Sequence, residues 1–265
     1  VTQYAGFRRG DFQHDFVGLD SAMFKDPRVW VASGHVGGFS DPLAECKKCN
    51  TRIRVDKELE KIGVQADEKM AEAELAALFA AHKKDIACHK CGSHDFSEAK
   101  AFNLLVQSNM GDFTGGGEPV YLPGEACQGI YLNFKNVTDT TRVKVPFGIA
   151  QIGKAFRNEI SPRNFLFRTR EFEQADTQYF VKPNENKAAY DLIKEERFNW
   201  YLKYGIKATN LRWKQHERLA FYAKDAWDIE YNYPTGFDEI EGFHDRSDYD
   251  LSQHMKHSGT DLTYT

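Results

Sequence analysis

The sequence predicts an α+β fold in which an antiparallel sheet is flanked by helices and carries a small zinc-knuckle insertion. Strand patterns joined by turns are mixed with helical patterns, without the strand–helix–strand rhythm of a parallel sheet. Two Cys-x-x-Cys pairs frame the insertion. With 265 residues, the chain can bury a sizeable core in one large or two smaller domains.

Composition narrows the class of protein. Hydrophobic residues at 41% and charged residues at 28% are typical of a soluble globular protein. The chain has no apolar run of about 18 residues and no secretory signal pattern at its N-terminus, so we expect a cytoplasmic location. A net charge of -4 argues against a protein coated in basic residues for nonspecific nucleic-acid binding. Any RNA contact is therefore expected to be local.

The N-terminal half mixes extended and helical patterns. Residues 16–33 are predicted to be a helix or an extended segment that leads to a glycine-rich turn. Asp67 to His82 is rich in Ala, Glu and Lys, with apolar residues at helical spacing, which predicts an amphipathic helix. Residues 102–106 and 130–134 are apolar, β-branched or aromatic runs of the kind found in strands, and 111–117 is a predicted loop.

The C-terminal half is predicted to contain a helix, a second helix, a β-hairpin and a final helix, at 183–204, 215–226, 227–243 and 247–258. Ile193, Trp200 and Tyr204 form the predicted buried stripe of the first of these helices, and Gly205 should end it. Ser247 and Asp250 are predicted to cap the last helix.

Four of the five cysteines form two closely spaced pairs, Cys46 with Cys49 and Cys88 with Cys91. Two such pairs can converge as four thiolates around one tetrahedral zinc ion, and a closed four-sulfur site is structural rather than catalytic. Disulfides or unligated thiols are the alternative, and the missing secretory signal argues against disulfides. The sequence therefore predicts a structural zinc site.

The stretch from Phe156 to Gln174, FRNEISPRNFLFRTREFEQ, carries polar side chains with strand periodicity around a turn at 161–164. Because strand side chains alternate between faces, Arg157 and Glu159 should share one face. The returning segment should present five side chains on one face: Arg168, Arg170, Phe172, Gln174 and Asp176. Guanidinium groups bind phosphate oxygens, a ring stacks on a base, and a carboxylate accepts from an exocyclic amine. This hairpin is equipped to hold a nucleoside triphosphate, unless its arginines are merely solvated.

The same stretch resembles motif 2 of the class II aminoacyl-tRNA synthetases, an Arg-x-Glu strand, a loop and then Arg-x-x-x-Phe. Further blocks are similar to the bacterial homodimeric type of glycyl-tRNA synthetase and run from about Val17 to about Leu262: VGLDSAM, VWVASGHVGGFSDPL, GEACQGIYLNFKNV, EIEGFHDRSDYDLSQH and HSGTDL. The resemblance implies a class II synthetase-like sheet, with a catalytic domain at 1–45 and 103–265 and the zinc-binding insertion at 46–102. It also implies a homodimer, with the region from Phe16 to Gly38 in motif 1 and the dimer interface.

The resemblance implies an activity and a role for each residue of the hairpin. Glycine would be activated with ATP to glycyl-adenylate and then transferred to tRNA(Gly). Arg157 would contact the α-phosphate, Glu159 the adenine amino group and Arg168 the γ-phosphate, while Phe172 would stack on adenine. Attack of a carboxylate on phosphorus depends on positioning and electrostatics, so arginine and magnesium suffice without a protein nucleophile.

Two pairs of acids complete the expected site. Glu239 and Glu241 should share a strand face by period two, which would let one or both hold magnesium; a solvated strand edge is the alternative. Glu125 and Asp176 match the positions that bind the substrate ammonium in the family. Because glycine has no side chain, a crowded pocket must select it by excluding larger residues. Both acids could instead be structural partners of the hairpin arginines.

The chain also departs from the family pattern. Asp176 is one methylene shorter than the usual Glu. Leu122-Pro123-Gly124-Glu125 stands where the family usually has Arg-Pro-Glu, so an arginine expected beside the pocket is missing. Family members also have an N-terminal segment, a motif 3 and an anticodon-binding domain that these residues do not include, so we expect this sequence to be the catalytic portion. Two alternatives stay open: a noncatalytic synthetase-like or zinc-stabilised RNA-binding fragment, and a class II ligase for another small amino acid. The intact set of expected ATP-contacting residues favours an enzyme over the noncatalytic alternative, whereas the shape of the pocket alone would decide between glycine and another small amino acid.

Overall fold

The structure, a computed structural model, describes residues 2–9, 12–66, 70–111, 117–160, 162, 165–217, 219–220 and 222–264. Its strands are β1 Thr2–Arg9, β2 Phe12–Gly18, β3 Ser40–Glu45, β4 Arg52–Arg54, β5 Lys100–Asn103, β6 Gln107–Met110, β7 Glu118–Tyr121, β8 Phe147–Phe156, β9 Glu171–Phe180, β10 Leu211–Gln215, β11 Asp225–Tyr233 and β12 Gly236–Asp245. Its helices are α1 Pro27–Ala32, α2 His35–Gly38, α3 Val55–Lys61, α4 Glu72–His82, α5 Cys127–Leu132, α6 Phe134–Thr141, α7 Asn186–Lys203 and α8 Tyr249–Ser258. None of the helices in these ranges is both long enough and apolar enough to cross a membrane.

The described strands form sheets in the orders β1-β2-β8-β9, β10-β11-β12, β4-β3-β5 and β6-β7. Among the strand pairs whose register is described, β2 and β8 run parallel and the others run antiparallel. The predicted α+β class with antiparallel sheets and helices is confirmed.

The chain divides into two compact units. The first consists of Val1–Ala22, Ala126–Gly153 and Ala175–Thr265, and the second of Met23–Glu125 and Lys154–Gln174. Each unit is described by itself below.

In the first unit, α5 and α6 supply a buried face to the core. Ile130, Phe134 and Val137 recur every three or four residues, so they fall on one helical face, and all three are buried together with Phe147 of β8. The run at 130–134 is therefore helical, and its reading as a strand-type run was wrong. Helical spacing of the apolar residues outweighed their β propensity.

The sheet β10-β11-β12 packs against α7 through Leu211, Ile229 and Phe243. Strands β11 and β12 confirm the hairpin predicted at 227–243, and Gly236 turns the chain with a φ of 109°. A glycine is needed there because side-chain-bearing residues rarely adopt this conformation.

The second helix predicted for the C-terminal half, at 215–226, is wrong. Strand β10 ends at Gln215 and β11 begins at Asp225. Trp213 stacks on Phe198 of α7 with ring centroids 5.5 Å apart, while its chain neighbours point the other way. This alternation, and the hydrogen bonds to β11, select a strand over a helix.

Helices α7 and α8 confirm two predictions but correct their details. Gly205 follows α7 with a φ of 93°, whereas Tyr204, predicted to be buried, is 69% exposed. Gly259 ends α8 with a φ of 70°. Ser247 does not occupy the N-cap position, which belongs to Asp248.

The second unit has its own core around α3, α4 and the cysteine pairs. Leu75 and Phe79 of α4 are buried as predicted, and Phe79 packs edge-on against Phe96 at 6.1 Å. Helix α4 begins at Glu72, and residues 67–69 of its predicted start lie outside the described residues. Helix α3 was not predicted. The loop at 111–117 also lies mostly outside the described part of the chain.

The segment predicted at 16–33 contains both kinds of structure. Strand β2 ends at Gly18, and α1 begins at Pro27. Asp26 starts this helix, because its carboxylate accepts a hydrogen bond from the Arg28 amide at 2.8 Å. Gly34, with a φ of 82°, turns the chain into α2.

Candidate active site and candidate metal centre

The four paired cysteines converge in the second unit. Their Sγ atoms all lie within 4.8 Å of one another, and the shortest separations are 3.6 Å, between Cys46 and Cys91 and between Cys49 and Cys88. Neighbouring sulfurs of a tetrahedral zinc site with Zn–S bonds of about 2.3 Å lie about 3.8 Å apart. The sulfur positions therefore fit a single zinc ion.

The two cysteine pairs have the same backbone geometry. Asn50 N–H donates to the Cys46 carbonyl at 2.8 Å, and Gly92 N–H donates to the Cys88 carbonyl at the same distance. Asn50 and Gly92 have φ values of 57° and 69°. Each left-handed residue reverses the chain and brings two thiols onto one side.

The electrostatics of one thiol also suit a metal ligand. A contact of 3.2 Å between Cys49 Sγ and the Thr51 hydroxyl, helped by the Thr51 backbone, lowers the pKa of Cys49 to about 6. A thiolate is the form that binds zinc. Among the described residues, this is the only group of three or more Cys, His, Asp or Glu residues whose ligand atoms converge closely enough to hold a metal ion together.

Arg157 and Phe172 lie together in the second unit. The Arg157 guanidinium carbon is 5.3 Å from the ring centroid of Phe172 and 5.3 Å from that of Phe39, so the charge lies against two aromatic rings. Its Nε donates to the Gly124 carbonyl at 3.1 Å. The Arg157 amide donates to the Arg170 carbonyl at 2.9 Å, which keeps the two arms of the hairpin paired beyond β8.

Arg157, Glu159, Arg168 and Arg170 lie in the connection between the two strands, so the predicted strand face of the returning segment begins only at Phe172. Strand β8 ends at Phe156 and β9 begins at Glu171, so period two does not place Arg157 and Glu159 on one strand face. The Glu159 amide instead donates to the Arg157 carbonyl at 2.7 Å, a tight turn that interrupts extended backbone. Of the predicted turn at 161–164, only residue 162 lies within the described residues.

The charged groups of this connection contact one another. Arg168 Nη1 lies 3.5 Å from both carboxylate oxygens of Glu159. Arg170 Nε and Nη2 donate to the carbonyls of Glu159 and Ile160 at 2.8 Å and 3.3 Å. Arg170 thus replaces the strand partners that these two carbonyls would otherwise have.

Glu125 is 18% exposed and lies beside a buried histidine. His35 Nε2 is 3.1 Å from Glu125 Oε1. Sequence reasoning missed His35, and only its position two residues after Ser33 in a glycine-rich turn could have drawn attention to it. Gly124 has a packing reason: a Cβ there would lie 3.0 Å from both the Leu105 and the Phe39 side chains.

Asp176 lies in the first unit and is held by a neighbouring amide. Gln178 Nε2 donates to Asp176 Oδ1 at 2.6 Å, and the Tyr131 hydroxyl donates to Gln178 Oε1 at 2.6 Å. Burial raises the pKa of Tyr131 well above its ordinary value, so the hydroxyl stays a donor.

The first unit also contains an arginine that sequence reasoning missed. Arg246 makes two hydrogen bonds to Asp250, at 2.8 Å and 3.0 Å, and its guanidinium lies 3.7 Å from the Tyr222 ring centroid. Asp250 also accepts from Gln128 at 3.0 Å. Asp250, predicted to cap α8, is instead 3% exposed and part of this buried network.

Glu239 and Glu241 do not share a face of β12. The pairing places Glu239 opposite Glu230 and Glu241 opposite Ile229, with a register shift between them. Glu230 and Ile229 are adjacent in β11 and point to opposite faces, so their partners do too. The predicted shared face is wrong because Ile240 is an extra residue, a β-bulge, between the two acids.

The bulge gives the two acids different partners. Glu241 faces α7, where Arg197 donates to both its oxygens at 2.8 Å and 3.0 Å. The opposite face of the sheet carries Glu239 beside Glu230, which Arg212 and Lys214 contact at 2.5 Å and 3.2 Å. Although burial opposes it, pairing with these cations lowers the pKa of Glu230 overall.

Comparison with known proteins identifies the family of this chain. Residues 114–258 match the family described as the tRNA synthetase class II core domain (G, H, P, S and T). The chain belongs to this family. The matched class II core contains Glu125, Asp176, Glu239, Glu241 and the whole stretch from Phe156 to Gln174, whereas the four clustered cysteines precede it.

Among class II proteins, glycine–tRNA ligases are similar to nearly all of this chain. The ligase of Clostridium tetani is 48% identical over 255 residues, 94% of this chain and 55% of that protein. The ligase of Caldanaerobacter subterraneus is 45% identical over 256 residues, again 94% and 55%. The ligase of Treponema denticola is 45% identical over 254 residues, 95% and 52%. The chain spans about half the length of the curated relatives it matches.

Proposed function

We propose that this chain is the catalytic portion of a glycine–tRNA ligase that activates glycine with ATP to glycyl-adenylate and pyrophosphate, then transfers glycine to the 3′ end of tRNA(Gly). The similarity to glycine–tRNA ligases over 94% of the chain supports the substrate. The observation that carries the chemistry is the placement of Arg157 against Phe172, bonded to the backbone next to Glu125.

Arg157 is suited to an α-phosphate. Within the described residues its hydrogen bond to protein comes from Nε, so both terminal nitrogens can donate to phosphate oxygens. Aromatic rings exclude water from the faces of the guanidinium, which strengthens its interaction with charge that develops during the reaction. No nucleophilic side chain is needed, because the glycine carboxylate itself attacks phosphorus.

The remaining hairpin residues fit the other parts of ATP. The Arg168–Glu159 contact of 3.5 Å is long, and Arg168 is 45% exposed, so this pair exchanges at little cost for a γ-phosphate and an adenine amino group. The half-buried Phe172 ring would supply the surface on which adenine stacks.

Because of the bulge, Glu239 and Glu241 cannot hold one magnesium ion from a shared face of β12. We propose that magnesium binds on the face of β12 that carries Glu239, because Arg197 donates to both oxygens of Glu241 on the other face. A carboxylate oxygen is the kind of ligand that magnesium prefers in such sites. When bound, magnesium neutralises negative charge on the ATP phosphates.

We propose that Glu125 is a ligand of the glycine ammonium and that Asp176 is a second candidate for this role. His35 contacts Glu125 and Gln178 donates to Asp176, which restrains each side chain. Fixed side chains exclude larger amino acids better than mobile ones, since a methyl group alone provides only about 1–3 kcal/mol of discrimination.

The cysteine cluster is proposed to hold one structural zinc ion in an inserted module at 46–102. Four converged thiols leave no open position for catalysis, so the metal would stabilise this module. Metal analysis of the purified protein should give one zinc per chain, and Cys88→Ser should abolish it. A protein with full activity and stability but no metal would contradict the proposal.

Pyrophosphate exchange tests the proposed function directly. The full-length parent should exchange labelled pyrophosphate into ATP only when glycine is present, and aminoacylate tRNA(Gly). Exchange with alanine or serine but not glycine would favour a ligase for another small amino acid. A well-folded parent with no exchange for any amino acid would favour the noncatalytic alternative. We further propose a homodimer, which sedimentation of the same sample can test.

A further inference from the structure

His35 is a buried histidine with both ring nitrogens in contact with polar side chains. It is 8% exposed, its Nδ1 lies 2.8 Å from the Ser33 hydroxyl, and its Nε2 lies 3.1 Å from Glu125 Oε1. Trp30 and Phe39 pack edge-on against the ring, with centroids 5.3 Å and 5.4 Å away. The imidazole therefore has little freedom to rotate.

The local backbone places this ring. Helix α1 ends at Ala32 with Ser33 as its C-cap, and Gly34 reverses the chain with a φ of 82°, which points His35 back toward Glu125. The Asn103 side chain donates to the carbonyls of His35 and Val36 at 3.3 Å and 2.9 Å. Backbone and ring are thus both held before any substrate binds.

The hydrogen-bond partners determine where the ring proton lies. Nε2 faces a carboxylate oxygen, which can only accept, so Nε2 carries a proton. Ser33 Oγ lies 2.8 Å from His35 Nδ1, and the Ser33 hydroxyl also donates to the Trp30 carbonyl at 3.4 Å. The polar contacts run from Ser33 through His35 to Glu125.

We propose that His35, aligned by Ser33, is a positioning residue that fixes the Glu125 carboxylate for the ammonium of the amino-acid substrate. The inference rests on the proposed function, because it takes Glu125 as the ammonium ligand. A hydrogen bond to one carboxylate oxygen fixes the side-chain rotamer, and partners of this kind typically change affinity by about 10- to 100-fold in metal sites.

The same local structure links His35 to Arg157, the residue proposed to contact the α-phosphate of ATP. His35 itself is not proposed to contact ATP. Arg157 Nε holds the Gly124 carbonyl at 3.1 Å, and His35 holds the Glu125 carboxylate one residue later. Phe39 packs against both the His35 ring and the Arg157 guanidinium. Loss of the His35 donor should therefore affect amino-acid binding more than ATP binding.

Three variants of the full-length protein test this role. His35→Leu removes both ring nitrogens at similar volume, His35→Gln places an amide donor near the position of Nε2, and Ser33→Ala removes the alignment of the ring. In glycine-dependent pyrophosphate exchange, His35→Leu should raise the KM for glycine at least about tenfold and the KM for ATP less than about twofold. His35→Gln should recover most of the loss, and Ser33→Ala should raise the glycine KM about two- to fivefold.

The controls separate positioning from packing and from failure of the proposed function. His257→Gln, on an exposed part of α8, should change neither KM. An unchanged glycine KM in His35→Leu, or equal increases in both KM values without recovery in His35→Gln, would overturn the positioning role. If His35→Leu does not fold, the other two variants test the role. His35→Gln should keep most of the wild-type affinity for glycine, and Ser33→Ala should raise the glycine KM. A folded wild-type protein without glycine-dependent exchange would overturn the proposed function and this inference together.

Discussion

Strands β9 and β12 are each ten residues long and each carry candidate site residues at alternate positions, but they present them differently. In β9 the alternation is unbroken: Phe172, Gln174 and Asp176 are half-buried, and the residues between them are exposed. In β12 the bulge at Ile240 sends neighbouring acids to opposite faces.

The difference shows how register assigns a role to a residue. Without a bulge, a spacing of two residues guarantees a shared face. With the bulge, Glu241 turns toward α7 and pairs with Arg197, while Glu239 stays on the face that carries other charged groups. One acid of the pair thereby becomes part of the packing against a helix, and the other lies on the face that carries Glu230. The predictions below test this contrast.

The largest expected effect is on the rate of pyrophosphate exchange when Arg157, in the connection that leads into β9, is changed. In the full-length protein, Arg157→Ala should lower pyrophosphate exchange at least about a hundredfold while the fold stays intact, because a phosphate contact made in the transition state is lost. Arg157→Lys should recover only part of the rate, since an ammonium cannot donate as a planar fork. Lys256→Ala, on exposed α8, is the control. Near-normal exchange in Arg157→Ala would remove Arg157 from the site.

The next effect separates the two acids of β12. Glu241→Gln should lower the free energy of unfolding by about 1–3 kcal/mol, because it weakens a two-bond contact with Arg197. Glu239→Gln should raise the magnesium concentration needed for half-maximal exchange, whereas Glu241→Gln should not. Urea unfolding and magnesium titration of both variants measure these effects. An equal shift of the magnesium requirement in both variants would mean that the bulge does not divide their roles.

A smaller effect tests the charged face of the β10–β12 sheet. The pKa of Glu230 is lowered in the folded state, so its contribution to stability is present above the unfolded pKa and is lost as pH falls through the folded value. The stability difference between the wild-type protein and Glu230→Gln should therefore shrink from pH 6 to about pH 4. Urea unfolding at each pH measures the difference, with the exposed Glu171→Gln as control. A difference that grows on acidification would contradict the assignment.

The smallest effect concerns Asp176 in β9. Asp176→Glu adds one methylene on a strand face with intact alternation, so the carboxylate should still point into the same space. We expect the glycine KM to fall slightly or stay unchanged, within about threefold, and selectivity against alanine to be kept. Glycine and alanine exchange rates measure both. A large loss of glycine use would show that the shorter acid is required here.

Local patterns predicted several elements because their signals lie within a few residues. Gly205 and Gly259 end α7 and α8 at the predicted places, since only glycine adopts their left-handed backbone without strain. The β11–β12 hairpin followed from its turn residues. The prediction for 130–134 was wrong because its apolar residues fit both a strand and a helix. Only their packing against Phe147 distinguishes the two structures.

The sequence by itself determined the antiparallel α+β class, the hairpin with its arginines and the two cysteine pairs, because spacing, turn residues and side-chain chemistry are local properties. Tertiary structure decided which residues meet. It brought the four sulfurs together, put a bulge between Glu239 and Glu241, and placed His35 against Glu125, 90 positions away in the chain. These pairings depend on contacts between distant segments, whose free energies no local pattern encodes.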